Sequence, residues 1–168
     1  MGLKRIFSSY TKITYSFAHK CGFIGAIFMV GLMLLTVGDV VLRYFFSKPI
    51  LGSFELTEFF LVALVFLAIP WAAAEKFNVR VDLLVGKLPE RIRAKFDSVT
   101  CAMALIVTAL FAWYTVPQAI YKLRLGSESD MLNIPVYPFY FLVAFGFFVL
   151  FFVLVANLID FIKGAVKR

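Results

Sequence analysis

The stretch "LGSFELTEFFLVALVFLAIPW", residues 51–71, decides the fold of this chain. Most of it is a continuous apolar run, and two carboxylates, Glu55 and Glu58, stand three residues apart at its start. A helix needs roughly 20 apolar residues to cross the hydrocarbon core of a bilayer, and acids beside such a helix are costly unless something compensates them. The stretch therefore predicts a membrane-spanning helix with two acids at one end.

The composition extends this prediction to the whole chain. Of its 168 residues, 62% are apolar and 16% are charged, whereas average soluble domains are roughly 45–50% apolar and 25% charged. The chain contains 21 phenylalanines, and its mean hydropathy is +0.93. A soluble domain of this size could not bury so much apolar surface. We therefore expect one all-α integral membrane domain covering residues 1–168.

Four apolar segments have the length of a membrane span. They are continuous rather than alternating, which excludes a β-barrel, and backbone groups in lipid must form internal hydrogen bonds, which favours helices. The first is too long for the apolar region of a signal peptide, so we expect it to remain in the protein. The predicted spans are about residues 21–42, 56–74, 98–117 and 138–162.

The basic residues predict the orientation of the four spans. Thirteen of the 17 lysines and arginines fall in the N-terminal segment, in the connection between spans two and three, or in the C-terminal tail. Four spans place these three segments on one side of the membrane. The positive-inside rule then predicts that both termini are cytoplasmic. The net charge of +7 accordingly indicates contact with anionic lipid headgroups rather than with nucleic acid.

Two cytoplasmic segments and one set of aromatic residues are expected to lie at the membrane surface. Residues 1–19 carry apolar side chains at three- or four-residue steps, so we expect an amphipathic helix in the headgroup region that turns into span one. Residues 79–97 show a second such stripe, with a solvated loop as the alternative. The candidates for ordering this second helix are Arg80, Asp82, Arg91 and Arg93. The candidates for an aromatic belt on the opposite side are Trp113, Tyr137 and Tyr140.

Enzymatic chemistry finds little support in the sequence. The single histidine, His19, lies outside the predicted spans, so one chain cannot hold a haem between two histidines. Cys21 and Cys101 are far apart and form no CxxC pair. No HExxH, GxSxG or Walker A motif occurs. We predict no catalytic residue, no metal site and no cofactor in this chain.

The acids near the span ends allow three interpretations. Asp39 and Arg43 have the i,i+4 spacing of a local ion pair. Glu55 and Glu58 are expected in the first turn of span two, where the helix dipole favours acids and Ser53 could be the N-cap. The same acids could bind a partner protein or couple transport to an ion, although coupling sites are expected near the membrane midplane.

The order of several short motifs resembles the DctQ-like small membrane subunit of tripartite ATP-independent periplasmic (TRAP) transporters. The motifs are "LRYFF", "GSFELTEFF", "LVALVFLAIPWAAAEK", "NVRVDLLVGKLP" and "MLNIPVYPFYFLVAFGFFV". The resemblance covers roughly residues 25–160. One departure is Asn78, where many members carry a histidine.

The resemblance implies a role in a three-part transporter of a bacterial or archaeal inner membrane. Such transporters import organic acids with a sodium gradient, after a periplasmic binding protein has captured the substrate. A large DctM-like membrane subunit holds the sodium and substrate sites, and the small subunit supports it and helps to receive the binding protein. The candidates for these contacts are Asp39, Arg43, Lys48, Glu55 and Glu58. The alternatives are a self-contained homo-oligomeric transporter or channel, and an assembly subunit of a respiratory complex.

Overall fold

The computed structural model describes the backbone of residues 2–75 and 90–166, and the side chains of residues 10–75 and 98–160. The described chain forms four helices, which we number in chain order: α1 (Gly2–Phe46), α2 (Ser53–Ala74), α3 (Glu90–Leu125) and α4 (Tyr137–Val166). Each contains a segment long and apolar enough to cross a membrane. These segments are Tyr10–Phe46, Ser53–Ala74, Ser98–Leu125 and Tyr137–Asp160. The prediction of four such helices in an all-α protein is therefore confirmed.

Helix α1 differs from the expectation at its N-terminal end. It is one continuous helix of 45 residues, so the predicted turn between residues 1–19 and the first span is absent. The stretch from Leu3 to Cys21 contains neither proline nor glycine, and nothing in it interrupts the backbone hydrogen bonds. At 1.5 Å per residue, α1 is about 68 Å long, which is more than twice the thickness of the hydrocarbon core.

The predicted cytoplasmic connection falls mostly outside the described residues. Arg80 and Asp82 belong to residues 76–89, which the structure does not describe. Arg91 and Arg93 lie on the first turn of α3, but their side chains are not among those that the structure describes. Their assignment to an ordered interfacial helix remains a prediction.

The helices pack in the spatial order α1, α2, α4, α3, and α1 also contacts α4. Helix α3 packs mainly on α4 and therefore lies at one edge of the domain. Pro117 lies inside α3, which continues to Leu125. The helix thus extends eight residues beyond the predicted end of span three at residue 117. It ends just before Gly126, whose φ of 59° favours glycine.

Helices α2 and α4 approach each other closely at Gly146. A Cβ atom there would lie 2.5 Å from the carbonyl oxygen of Phe66 and 2.8 Å from the Phe66 Cβ. Pro70, inside α2, has no N–H to donate to that carbonyl. Small residues at such contacts are typical of helix packing in membranes, where close backbone approach replaces the hydrophobic effect as the source of attraction.

Candidate functional site

Asp39, near the C-terminal end of α1, joins that helix to the loop that follows. Its side chain is nearly buried. One carboxylate oxygen, Oδ2, accepts a hydrogen bond of 2.7 Å from Nη2 of Arg43, and the other, Oδ1, accepts one of 2.9 Å from the backbone N–H of Ile50. The predicted i,i+4 ion pair between Asp39 and Arg43 is therefore confirmed, and it also fixes the loop between α1 and α2.

The start of α2 has a different cap from the predicted one. The N-cap is Gly52, in the left-handed conformation with φ 74°, and no side chain caps the helix. Ser53 is instead the first helical residue, so its prediction as N-cap is wrong. The side chain of Leu132 packs against the α-carbon of Gly52, in the space that a Cβ atom would need. The close approach of Leu132 and the positive φ both explain why a glycine occupies this position.

Glu55 holds the loop between α3 and α4 against α2. Its Oε2 accepts hydrogen bonds from the Ser129 hydroxyl at 2.7 Å and from the Leu132 N–H at 3.0 Å. Its Oε1 accepts one from the Met131 N–H at 2.7 Å. The carboxylate thereby satisfies backbone donors of a tight loop that would otherwise lack acceptors.

Two connections consequently pack together at one end of the domain, and we call residues 47–52 and 126–136 the loop pair. The second loop also carries its own short-range bonds, from the Ser129 N–H to the Ile134 carbonyl at 2.9 Å and from the Val136 N–H to the Ser127 carbonyl at 3.0 Å. Lys48 of the first loop is exposed, as are Glu128 and Asp130 of the second, and Arg43 is exposed near the end of α1. The Arg43 side chain keeps 65% of its surface accessible while it pairs with Asp39.

Glu58 takes no part in these contacts. It is exposed, and among the residues with described side chains it has neither a hydrogen bond nor an ion pair. Its expected position in the first turn of α2 is wrong, since Glu55 alone is the acid of that turn. Glu58 lies instead in the wall of a cavity of about 330 Å³ between α2, α3 and α4.

Two of the three aromatic candidates, Tyr137 and Tyr140, lie at the loop-pair end of α4, whereas Trp113 lies near the middle of the apolar segment of α3. Trp113 is 82% exposed on α3. Tyr137 is the first residue of α4, and Tyr140, one turn later, lines the same cavity as Glu58. Their position at a membrane interface remains a prediction.

The opposite end of the domain holds a polar cluster around Asn157 and Asp160 of α4, whose contacts the sequence did not predict. Asn157 of α4 is buried and donates a 2.8 Å hydrogen bond from Nδ2 to the Ala73 carbonyl of α2. Its Oδ1 accepts a 2.7 Å bond from the Tyr15 hydroxyl of α1, and Asp160 Oδ2 lies 3.3 Å from the same hydroxyl. The signal was present, since polar residues at an i,i+3 spacing in an apolar helix share one face, but its partners lie too far away in sequence to be identified.

A second contact at that end joins α1 to the C-terminal end of α2. His19 Nε2 lies 3.2 Å from Glu75 Oε1, and the imidazole is 5.3 Å from the Trp71 ring. Cys21 and Cys101 are both buried free thiols. Within residues 10–75 and 98–160, no three histidine, cysteine or acidic side chains come together in a way that could hold a metal ion.

The geometry defines a class of membrane protein. In the described spans, the acids lie near the helix ends and are bound locally or face a cavity, while the helix surfaces between them are apolar. A domain of this kind can contribute its apolar helix surfaces to a membrane assembly and present an ordered loop surface.

The sequence comparisons assign the family. The model of the DctQ component of tripartite ATP-independent periplasmic transporters matches residues 32–164. The chain therefore belongs to the DctQ family. It is accordingly a multi-pass membrane component of a transporter and not an enzyme, and the resemblance noted in the motifs is confirmed.

One curated relative is the C4-dicarboxylate TRAP transporter small permease protein DctQ of Vibrio cholerae. The two chains are 28% identical over 115 residues, which cover 67% of this chain and 50% of the relative. This chain thus aligns with half the length of that protein. No solved structure matches the chain.

Proposed function

We propose that the chain is the small membrane subunit of a sodium-coupled transporter that imports an organic acid. A periplasmic binding protein delivers the substrate, a large DctM-like subunit transports it, and this chain supports the large subunit and helps to form the docking face. The observation that carries the proposal is the loop pair, an ordered surface with exposed charged residues of both signs, next to the exposed Arg43, on a domain of the DctQ family.

The positions of the acids favour a structural role for this chain over ion transport by it. Sodium coupling needs several oxygen ligands near the membrane midplane, where transporters hold their substrate and ions. Among the described spans, Asp39, Glu55, Glu58 and Asp160 all lie near helix ends. The sodium and substrate sites therefore belong to the large subunit.

The loop pair is the part of this chain that would receive the binding protein. The positive-inside distribution of lysine and arginine, with both termini cytoplasmic, puts the loop pair on the periplasmic side. Asp39 and Glu55 form the internal hydrogen bonds that order the two loops. Arg43 and Lys48 remain exposed and would pair with acidic residues of a partner, which steers association.

The cytoplasmic connection has a separate role in this proposal. Arg80, Asp82, Arg91 and Arg93 would order an amphipathic helix at the inner surface, where anionic lipids attract basic residues. Residues 1–19, in the N-terminal part of the long helix α1, would also contact that surface.

The substrate class follows from the relative alone. The V. cholerae protein is described as part of a C4-dicarboxylate transporter, so we propose a dicarboxylate as the first organic acid to test. The contacts that select the substrate would lie in the binding protein and the large subunit.

Purification and reconstitution test this proposal. We expect the tagged chain to co-purify from its own membrane with a large subunit of many spans. Liposomes that contain both subunits should take up a dicarboxylate when the binding protein and an inward sodium gradient are supplied. Liposomes with this chain alone should take up nothing. Uptake by this chain alone would overturn the proposal in favour of a homo-oligomeric transporter or channel.

A further inference from the structure

The cavity between α2, α3 and α4 has polar groups towards the loop pair and apolar walls farther from it. Its volume of about 330 Å³ lies within the roughly 300–1,000 Å³ typical of ligand pockets. Val136 of the loop pair is itself a lining residue, and Glu58 of α2 and Gln118 of α3 are the lining residues nearest the loop-pair ends of those two helices. Val62 and Val143 line the cavity at least one helical turn deeper.

The polar end of the cavity combines one unpaired acid with several hydrogen-bond donors. Gln118 Nε2 donates to the Tyr114 hydroxyl at 3.1 Å, which leaves the phenol hydrogen and the second amide hydrogen available. Lys122 lies one turn beyond Gln118 on the same face of α3. In the described part of the chain, neither Glu58 nor Lys122 forms an ion pair.

We propose that this cavity binds an aminophospholipid. The headgroup ammonium lies against Glu58, the phosphate faces Gln118 and Lys122, and the first part of an acyl chain covers the apolar wall. The arrangement matches a zwitterionic headgroup because the Glu58 carboxylate of α2 lines the same cavity as the Tyr114 hydroxyl and the Gln118 amide of α3. Lys122 adds a cation one turn beyond Gln118, outside the lining residues. The ends of membrane-spanning helices are also the depth at which headgroups lie.

A basic side chain of another subunit is the competing occupant. It would neutralise Glu58, but it would bring no acceptor for the Tyr114 hydroxyl, the Gln118 amide or the Lys122 ammonium. A phosphate group supplies acceptors for these donors. Charge complementarity at both sides of the opening therefore favours the lipid.

Native mass spectrometry of the full chain in detergent tests this proposal. The chain is titrated with phosphatidylethanolamine, phosphatidylcholine and phosphatidylglycerol that carry the same acyl chains. We expect phosphatidylethanolamine to bind most tightly, because the choline group has no N–H donor and the glycerol headgroup has no cation. Glu58→Gln should weaken its binding roughly 10-fold, which corresponds to the loss of one charge-assisted hydrogen bond. Glu128→Gln, at an exposed loop position outside the cavity lining, is the matched control and should bind like the wild type.

A second variant tests the cavity itself. Val143→Phe fills the apolar wall and leaves Glu58 in place, so it should weaken the binding of all three lipids, with helicity checked by circular dichroism. Equal binding of phosphatidylethanolamine to the wild type and Glu58→Gln would overturn the proposal. Equal affinity for phosphatidylglycerol and phosphatidylethanolamine would also overturn it. A partner's basic side chain that occupies the cavity in the assembled complex would overturn it as well. None of these readouts requires transport, so a failed uptake experiment leaves them intact.

Discussion

Glu55 is a single residue near the end of a span, and it holds a distant loop in place through hydrogen bonds. A carboxylate on α2 accepts hydrogen bonds from a hydroxyl and two backbone N–H groups of the connection between α3 and α4. These donors lie more than 70 positions away in the sequence. Sequence patterns place both segments at the same side of the membrane, but they cannot show which side chain of one reaches the backbone of the other.

Replacing Glu55 tests this function at the residue scale. Glu55→Gln keeps the size of the side chain but loses its charge and one of its two acceptor oxygens, so the hydrogen bonds to Met131 and Leu132 should weaken. We expect the amide hydrogens of these two residues to exchange faster, on the order of 10-fold, in hydrogen–deuterium exchange. The matched control is Glu128→Gln in the same loop. Unchanged protection of both amides in Glu55→Gln would contradict the assigned role.

Asp39 and Arg43 allow a second test, because a charge pair behaves differently from two independent residues. Arg43→Gln leaves the nearly buried Asp39 carboxylate without its cation, and Asp39→Asn leaves Arg43 without its anion. Each single change should lower the thermal midpoint in detergent. The double variant should be less harmful than the sum of the two, since it removes both charges together. Strict additivity would show that the pair contributes nothing as a pair.

At the scale of whole elements, the apolar runs of the sequence were sufficient to identify the four helices, because a span has a fixed minimum length. Two features of those helices were beyond reach. The absence of proline and glycine from Leu3 to Cys21 permits a continuous α1, but it does not exclude a turn at the membrane surface. The packing order depends on shape at particular contacts, such as Gly146 against Phe66, which hydropathy does not report.

Gly146 and Gly38 form a matched pair for testing that packing. Gly146→Ala places a methyl group 2.5 Å from the Phe66 carbonyl oxygen, so α2 and α4 must move apart. This overpacking should lower the free energy of unfolding by about 1–3 kcal/mol. At Gly38 of α1, an added Cβ atom meets nothing within 4 Å, and alanine should be neutral or stabilising by up to about 1 kcal/mol. Thermal unfolding in detergent measures both. Equal midpoints for the two variants would argue against a close α2–α4 contact.

The Asn157 cluster tests how the other end of the domain is held. Asn157 connects α4 to both α1 and α2, and the Ala73 carbonyl that it binds lies in the last turn of α2, where carbonyls lack intrahelical partners. Asn157→Ala removes a donor and an acceptor together, so we expect the free energy of unfolding to fall by about 1–3 kcal/mol. Tyr15→Phe removes only the hydroxyl and should lower the free energy of unfolding by a smaller amount. A thermal midpoint of Asn157→Ala equal to the wild type would contradict this role.

At the scale of the whole molecule, the two ends of the domain are held by different means. The loop-pair end is held by carboxylates that accept bonds from a neighbouring arginine and from loop backbone, and the other end by a buried amide and a histidine–glutamate contact. Between them, the described helix surfaces are largely apolar and exposed. A domain built in this way keeps its polar surface for contacts at the two membrane faces and leaves its sides to lipid or to a large apolar partner.

If the loop pair receives an acidic surface of the binding protein, charge at Lys48 should control the rate of that encounter. Lys48 is exposed and has no ion pair within the described residues, so Lys48→Glu changes charge without removing a structural contact. At low ionic strength and a limiting concentration of binding protein, we expect the Lys48→Glu transporter to take up substrate more slowly than the wild type. The difference should shrink as the salt concentration is raised towards 1 M, because the Debye length falls to about 3 Å. Lys20→Glu, a change of the same charge at an exposed position of α1 outside the loop pair and outside residues 1–19, should leave uptake unaffected. A Lys48→Glu defect that persists unchanged at high salt would point to lost packing instead of lost steering, and no defect at low salt would exclude Lys48 from the docking face.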